Sequence, residues 1–172
     1  MAWVTLGIGS NTDPVDNLHS CLDALLLQFR EMKLSSVFES AAAGNASTGT
    51  YLNMAVGFET DLKLDELAAF LKKLEAKHSR VRDAGNGHKV TLDIDILTYG
   101  KLSGNQAGIT LPRQEILNTP YVLWPLSQVA AQQRHPESSE TYATLWKNFT
   151  GDRSSIHPVD FEWHGRKLSS AR

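Results

Sequence analysis

The segment from Thr91 to Leu97 constrains the fold more than any other stretch, because apolar and acidic residues alternate along it. Side chains of a β-strand point alternately to opposite faces, so the leucine and the isoleucines share one face while Asp93 and Asp95 share the other. The apolar face predicts a core strand. Two carboxylates roughly 6 to 7 Å apart repel each other unless a positive group neutralises them. The pattern favours Mg²⁺, which one or two carboxylates hold together with water and substrate phosphates.

A basic, glycine-containing stretch directly precedes this strand. It contains Arg80, Arg82, His88 and Lys89, four potentially cationic groups within ten residues. Such a loop suits a mobile cover for a polyphosphate held beside metal ions. The alternative is that both aspartates lie on the solvent-facing side of an antiparallel sheet and bind nothing.

The composition excludes several classes of protein. With 172 residues, of which 41% are hydrophobic and 21% charged, the chain is most simply one globular domain. A formal charge of −2 gives no general attraction to nucleic acid or to an anionic membrane. The apolar runs are too short for a membrane span or a signal peptide, which predicts a cytoplasmic protein. We expect a single domain over residues 1–150 and a polar C-terminal extension over residues 151–172.

The order of the predicted elements defines the fold class. The hydrophobic periods predict strands over 2–8, 33–39, 51–60 and 91–97, and amphipathic helices over 14–30 and 64–79. This order, strand, helix, strand, strand, helix, strand, is typical of an α+β, ferredoxin-like antiparallel sheet with two main helices on one face. Short C-terminal helices follow, and the apolar block 121–126 is expected to pack on the sheet.

Two polar residues stand on the third predicted strand. Tyr51 and Asn53 leave the sheet on the face opposite to the apolar residues of that strand. An aromatic ring two residues from an amide is what a flat, hydrogen-bonding heterocycle needs for binding. The alternative explanation is that both side chains simply face solvent, as most polar residues do.

Six short motifs occur in a characteristic order between about Val4 and Ala130. They are Gly7-Ile8-Gly9-Ser10-Asn11, Tyr51-Leu52-Asn53, Glu75 with Arg80-Val81-Arg82, Leu92-Asp93-Ile94-Asp95, Leu111-Pro112 and Leu123-Trp124-Pro125-Leu126. Together they resemble the 6-hydroxymethyl-7,8-dihydropterin pyrophosphokinases, folate-pathway enzymes that transfer diphosphate from ATP to a pterin alcohol. The resemblance implies a Mg²⁺-dependent diphosphotransferase that releases AMP.

The resemblance also implies which residues would handle the phosphates. Asp93 and Asp95 would bind two Mg²⁺ ions that bridge the ATP phosphates, with Arg80 and Lys89 as further catalytic groups. The positions expected to contact nucleotide or phosphate are Glu75, Arg82 and Arg113. Catalysis would then be positioning plus charge neutralisation of an in-line displacement at the β-phosphorus.

A separate set of residues is implied for the second substrate. Tyr51 and Tyr121 would sandwich the pterin ring, and Asn53 would hydrogen-bond its edge. The expected partners are therefore ATP and a pterin alcohol, with no nucleic acid and no membrane, and the expected form is a monomer.

The sequence departs from the family pattern mainly in the basic loop. The family has an arginine three residues before the first aspartate, where this chain has Val90, with Lys89 one place earlier. Its loop aromatic is replaced by Gly85-Asn86-Gly87, and the histidine after Leu-Pro is replaced by Arg113. These departures leave two alternatives to the enzyme: a relative that binds nucleotide or pterin without diphosphate transfer, and a ferredoxin-like interaction module.

Overall fold

The computed structural model describes residues 1–41, 50–78 and 91–171. Its strands are β1 (Ala2–Ser10), β2 (Lys33–Leu34), β3 (Phe38–Ala41), β4 (Thr50–Thr60), β5 (Asp93–Tyr99), β6 (Gly104–Gln106), β7 (Ile109–Leu111), β8 (Ile156–Pro158), β9 (Phe161–Trp163) and β10 (Arg166–Ser169). Its α-helices are α1 (Pro14–Phe29), α2 (Leu64–His78), α3 (Pro120–Val129) and α4 (Tyr142–Lys147), and 3-10 helices span Gln114–Leu117 and Arg153–Ser155. Within these ranges, no helix is long and apolar enough to cross a membrane.

The central sheet has the strand order β5-β1-β4-β3-β8, with β2 also paired to β4. Its pairings are antiparallel, which confirms the predicted α+β, ferredoxin-like class. The single strand predicted over 33–39 is instead divided into β2 and β3. Between them, the Ser35 backbone N–H donates to the carbonyl of Ala55 and the Ala55 N–H donates to Ser35 Oγ, so a side chain replaces one partner of the ladder.

Both faces of the sheet are covered, by different helices. The face that carries Leu6, Val56 and Ile96 packs against α1 and α2, as predicted, and forms the larger core. The opposite face carries Ala55 and Leu97, which pack against α3 and α4. The apolar block 121–126 therefore packs on the sheet as expected, and it does so on the face that also carries the two aspartates.

The C-terminal residues join the body of the molecule. Strand β8 pairs with β3, and the β9–β10 hairpin places Phe161 and Trp163 in the larger core. The Ser169 hydroxyl donates to the Val159 carbonyl at 2.6 Å and accepts from the Val37 N–H at 3.1 Å. Sequence periodicity did not reveal these short strands, because three or four residues show too little alternation to be recognised.

Candidate active site

Strand β5 presents its two aspartates on one face, as the alternation predicts. Ile94 and Ile96 are buried in the larger core, whereas Asp93 is exposed and Asp95 is half-buried on the opposite face. β5 is an edge strand of the described sheet, with β1 as its neighbour. The two carboxylates therefore lie on an edge strand, on the face opposite to the larger core.

Two glycines of β1 form the floor beside the aspartates. Gly9 pairs with Asp93 on one side and Asn53 on the other, and Gly7 pairs with Asp95 and Ala55. A Cβ on Gly9 would lie 3.1 Å from Oδ1 of Asn53, so glycine leaves room for this amide above the strand. Strand β1 continues to Ser10, two residues beyond the predicted strand over 2–8, so Gly9 as well as Gly7 lies within it.

Glu75 reaches the site from α2. Its Oε2 accepts the Ile94 N–H at 2.8 Å, which satisfies an outward-facing donor of the edge strand between the two aspartates. Burial raises the pKa of the Glu75 carboxyl, the charges of Asp93 and Asp95 add to this, and the Ile94 N–H opposes it. Glu75 thus fixes the end of α2 to the strand and adds a third carboxyl group to the cluster.

Arg113 brings a positive charge to the carboxylate cluster of Glu75, Asp93 and Asp95. Its guanidinium lies 3.2 Å from Oδ1 of Asp95 and 3.4 Å from Oε2 of Glu115. The Arg113 backbone N–H donates to the carbonyl of Leu97 at 2.9 Å, which holds the segment after the cis Leu111–Pro112 bond against β5. Sequence reasoning missed Glu115, although its position two residues after the arginine is a usable signal.

The pKa of Asp95 reflects this environment. Burial raises the pKa most, and the charge of Asp93 raises it further. Arg113 lowers it and Glu115 raises it. The neutral form of Asp95 is therefore favoured relative to a free aspartate, as expected for a partly buried carboxyl group beside other carboxylates.

The residues predicted to bind the ring lie on the same face as the aspartates. Asn53 is 7% exposed, and its Nδ2 donates to Ser40 Oγ at 2.8 Å, so it is not an ordinary surface amide. Burial raises the pKa of the Tyr121 phenol, and the charges of Glu115, Tyr51, Asp95 and Asp93 contribute to the rise. Tyr121 belongs to α3, which packs on this face of the sheet.

A stack of aromatic rings holds α3 in this position. Trp124 of α3 lies 4.6 Å from the Phe38 ring and 5.0 Å from the Trp146 ring, which is stacked on it. Phe149 extends the stack beyond Trp146 at 5.4 Å. The sequence pointed to the block around Trp124 but not to its partners, which come from distant parts of the chain.

The remaining predicted residues lie outside the described ranges. They are Arg80, Arg82 and Lys89, together with the rest of the segment 79–90. Their roles stay predictions.

Comparison with known proteins gives a consistent result. The family model described as 7,8-dihydro-6-hydroxymethylpterin-pyrophosphokinase matches residues 5–131. The chain is 32% identical over 150 residues to the 2-amino-4-hydroxy-6-hydroxymethyldihydropteridine pyrophosphokinase of Haemophilus influenzae, covering 86% of this chain and 92% of that protein. The Synechocystis protein of the same name is also 32% identical, over 157 residues that cover 90% of this chain and 78% of the relative.

Solved structures share the fold. A structure titled as HPPK-DHPS in complex with substrates superposes with a TM-score of 0.70 at 11% identity, over 99% of this chain and 49% of that one. The Plasmodium falciparum HPPK-DHPS triple mutant with pteroate gives 0.68 at 10% identity, over 98% of this chain and 48% of that one. This chain thus spans about half the length of these solved chains.

The family match and the curated relatives identify an enzyme of the diphosphokinase class. The match over 5–131 and the two relatives at 32% identity show that the chain belongs to the 7,8-dihydro-6-hydroxymethylpterin-pyrophosphokinase family, the Mg²⁺-dependent pyrophosphokinases of folate biosynthesis. The resemblance drawn from the six motifs is confirmed.

Proposed function

We propose that this chain transfers the β,γ-diphosphate of ATP to the hydroxymethyl oxygen of 6-hydroxymethyl-7,8-dihydropterin and releases AMP. The observation that carries the proposal is the convergence of two residue sets on one face of the sheet. Asp93, Asp95 and Arg113 form the charged set, and Tyr51, Asn53 and Tyr121 form the ring set. A phosphate-handling site beside an aromatic and amide pocket is what this reaction requires.

The charged set fits a magnesium site. Its donors are carboxylate oxygens, and because the charge of Asp93 contributes to the raised pKa of Asp95, a cation between the two groups would relieve their repulsion. Among the described residues, no group of three His, Cys, Asp or Glu side chains is arranged to hold a metal, so water and substrate phosphates would complete the coordination. We propose two Mg²⁺ ions, which would neutralise charge on the phosphate oxygens.

Arg113 is proposed as a phosphate ligand. Its side chain is 37% exposed, and its pairing with Asp95 at 3.2 Å is longer than a close charge-assisted hydrogen bond. A polyphosphate that enters the site offers closer oxygens to the same guanidinium. Glu75 is proposed to act beside the nucleotide while its carboxylate keeps the edge of β5 in place.

The ring set orients the acceptor. The rings of Tyr51 and Tyr121 would stack on the two faces of the pterin, and the buried Asn53 amide would hydrogen-bond its edge. The hydroxymethyl oxygen then forms a bond to the β-phosphorus as the bond from that phosphorus to the α,β-bridging oxygen breaks. AMP leaves with the electron pair, and the hydroxyl proton passes to solvent. We propose that the active form is a monomer.

The structure also bears on the interaction-module alternative. That alternative requires both aspartates to face solvent and to bind nothing. Instead, Asp95 is half-buried, has a raised pKa and pairs with Arg113, while the neighbouring Asn53 is buried. A site of this kind favours substrate binding.

The decisive test is AMP formation. Purified protein incubated with ATP, Mg²⁺ and 6-hydroxymethyl-7,8-dihydropterin is expected to form AMP and the pterin diphosphate in equal amounts. Omission of the pterin or of Mg²⁺ is expected to abolish both products. Binding of a non-hydrolysable ATP analogue and of the pterin without any AMP formation would contradict diphosphate transfer and identify the chain as a binding protein.

A further inference from the structure

A cavity lies where β1 begins and β4 ends. This end of the sheet is remote from Asp93 and Asp95. Its volume is about 870 Å³, within the usual size range of small-molecule sites. Its walls come from the end of α1, from β2, from the end of β4 and from the β9–β10 hairpin. The family match begins at residue 5 and ends at residue 131, so Trp3, Trp163 and Arg166 of the lining lie outside it.

An indole forms one wall of the cavity. The Trp3 ring lies against Gly57, where an added Cβ would be 2.6 Å from Cζ2 of the ring. Its N–H is buried and has no acceptor among the described residues. The ammonium group of Lys33 lies 5.7 Å from the ring centroid. The wall thus combines an aromatic ring and a cation.

The charged groups of the lining carry an excess of positive charge. Arg30, Lys33 and Arg166 are basic, and Glu31 and Glu59 are acidic. Within the described ranges, all ion pairs are formed by other residues, so none of these three basic side chains is paired. The side chains of the lining therefore sum to one net positive charge, and their cations remain available to an anion.

The backbone at Arg30 is strained. This residue ends α1 with a φ of 64°, a conformation that favours glycine at the end of a helix. A side chain at such a position costs free energy. Here the costly residue is an arginine that lines the cavity, which is the kind of local conflict found at binding sites.

We propose that this cavity binds a small planar aromatic molecule with a single negative charge. Apolar walls that include Leu26, Phe29 and Trp163 take the hydrocarbon body, and the Trp3 indole stacks on its ring. The anionic group binds Arg30 and Lys33. The site is independent of the proposed reaction, because none of its residues belongs to the charged set or to the ring set.

The test uses two fluorescent probes of nearly equal shape. The anion 1-anilinonaphthalene-8-sulfonate carries one negative charge, and N-phenyl-1-naphthylamine has the same rings without the sulfonate. Both are titrated into the 172-residue protein in the presence of Mg²⁺ and a saturating non-hydrolysable ATP analogue. The anion is expected to bind one saturable site and to quench tryptophan fluorescence. Trp3→Phe is expected to remove part of this quenching.

Variants connect this binding to the cavity. Arg30→Gly is expected to weaken binding of the anion about fivefold, the value of one partly exposed charged contact, and to leave the neutral probe unaffected. Because glycine relieves the positive φ, the same variant is expected to have an equal or higher Tm, so lost binding is not lost folding. Lys33→Ala is expected to behave like Arg30→Gly toward the anion, and Lys72→Ala, an exposed lysine of α2, serves as the matched control.

Two outcomes overturn the proposal. One is equal affinity of the anion for the wild type, Arg30→Gly and Lys33→Ala. The other is loss of anion binding when the ATP analogue is present, which places the probe in the active site. Both readouts are independent of catalysis, so an inactive protein leaves this test intact.

Discussion

The two faces of the central sheet are built from the same three strands, β1, β4 and β5, but have different roles. On one face, Leu6, Val56 and Ile96 are at most 6% exposed beneath α1 and α2. On the other face, α3 covers Ala55 and Leu97. The same face of β5 carries Asp93, which is exposed, and Asp95, which is half-buried. The functional surface is therefore the part of a sheet face that the helices leave open.

This difference separates stability from chemistry along each strand. Neighbouring residues of β5 point alternately into the core and into the site, so a buried isoleucine holds each aspartate in place. Substitutions on the core face are expected to reduce folding stability, and substitutions on the site face to reduce catalysis or binding. Substitutions on the two faces test that division.

Asp95→Asn is expected to lower kcat/KM about 10³-fold, equivalent to about 4 kcal/mol of transition-state stabilisation. Because folding raises the pKa of Asp95, the ionised carboxylate destabilises the folded protein at neutral pH, and the neutral amide is expected to raise Tm. Steady-state kinetics and thermal melts of the same samples measure both. A variant that is inactive because its Tm has fallen would contradict the division between the faces.

Leu6→Ala, on the core face, is expected to destabilise the fold by about 3 kcal/mol, because it opens a cavity in a fully buried cluster. The kcat of the folded fraction is expected to change little. Val15→Ala is the matched control, since Val15 is 46% exposed and its loss is expected to cost less than about 0.5 kcal/mol. Urea unfolding of the three proteins provides the comparison.

Gly9→Ala is expected to weaken pterin binding about tenfold without weakening nucleotide binding. The new methyl group lies 3.1 Å from Oδ1 of Asn53 and displaces an amide whose hydrogen bond to Ser40 fixes it. In an Asn53→Ala background, the same change is expected to have no further effect on pterin affinity. Full additivity of the two changes in calorimetric titrations would show that the glycine acts elsewhere.

Tyr121→Ala is expected to weaken pterin binding about fivefold, since an aromatic pair contributes about 1 kcal/mol beyond area burial. Tyr121→Phe keeps the ring and is expected to bind as the wild type does. Equal losses in the two variants would assign the effect to the phenol hydroxyl, against stacking.

The smallest effect concerns His135, which lies away from both faces. Its buried Nδ1 accepts the N–H groups of Glu137 and Ser138 at 3.1 Å each, so the folded turn requires the neutral ring. Burial lowers its pKa below 6.5, partly opposed by Glu137. Its contribution to stability is therefore present above pH 6.5 and is lost as pH falls through the lowered pKa.

Thermal melts between pH 7 and pH 5 measure this contribution. His135→Gln is expected to show a shallower fall of Tm over that interval than the wild type, with kcat at neutral pH unchanged. Identical slopes would assign the acid sensitivity of the fold to other groups.

Short-range pattern was sufficient for much of the fold. The alternation in β5 predicted both the buried isoleucines and the shared face of Asp93 and Asp95, and the helical periods located α1 and α2. It was insufficient where elements are short. The division of the second strand at Ser35 and the pairing of β8 depend on partners that periodicity does not identify.

The pattern of charged and apolar residues along the chain follows from the amino-acid sequence, because it depends on residue type and on neighbours in the chain. The family resemblance added candidate roles for Tyr51, Tyr121 and Arg113. Only the tertiary structure decided that β1 lies between β4 and β5, so that Gly9 meets both Asp93 and Asn53. It also decided that Glu75 caps the strand edge and that Trp3 closes a cavity. Such contacts join residues distant in sequence, and their geometry follows from the packing of the whole chain.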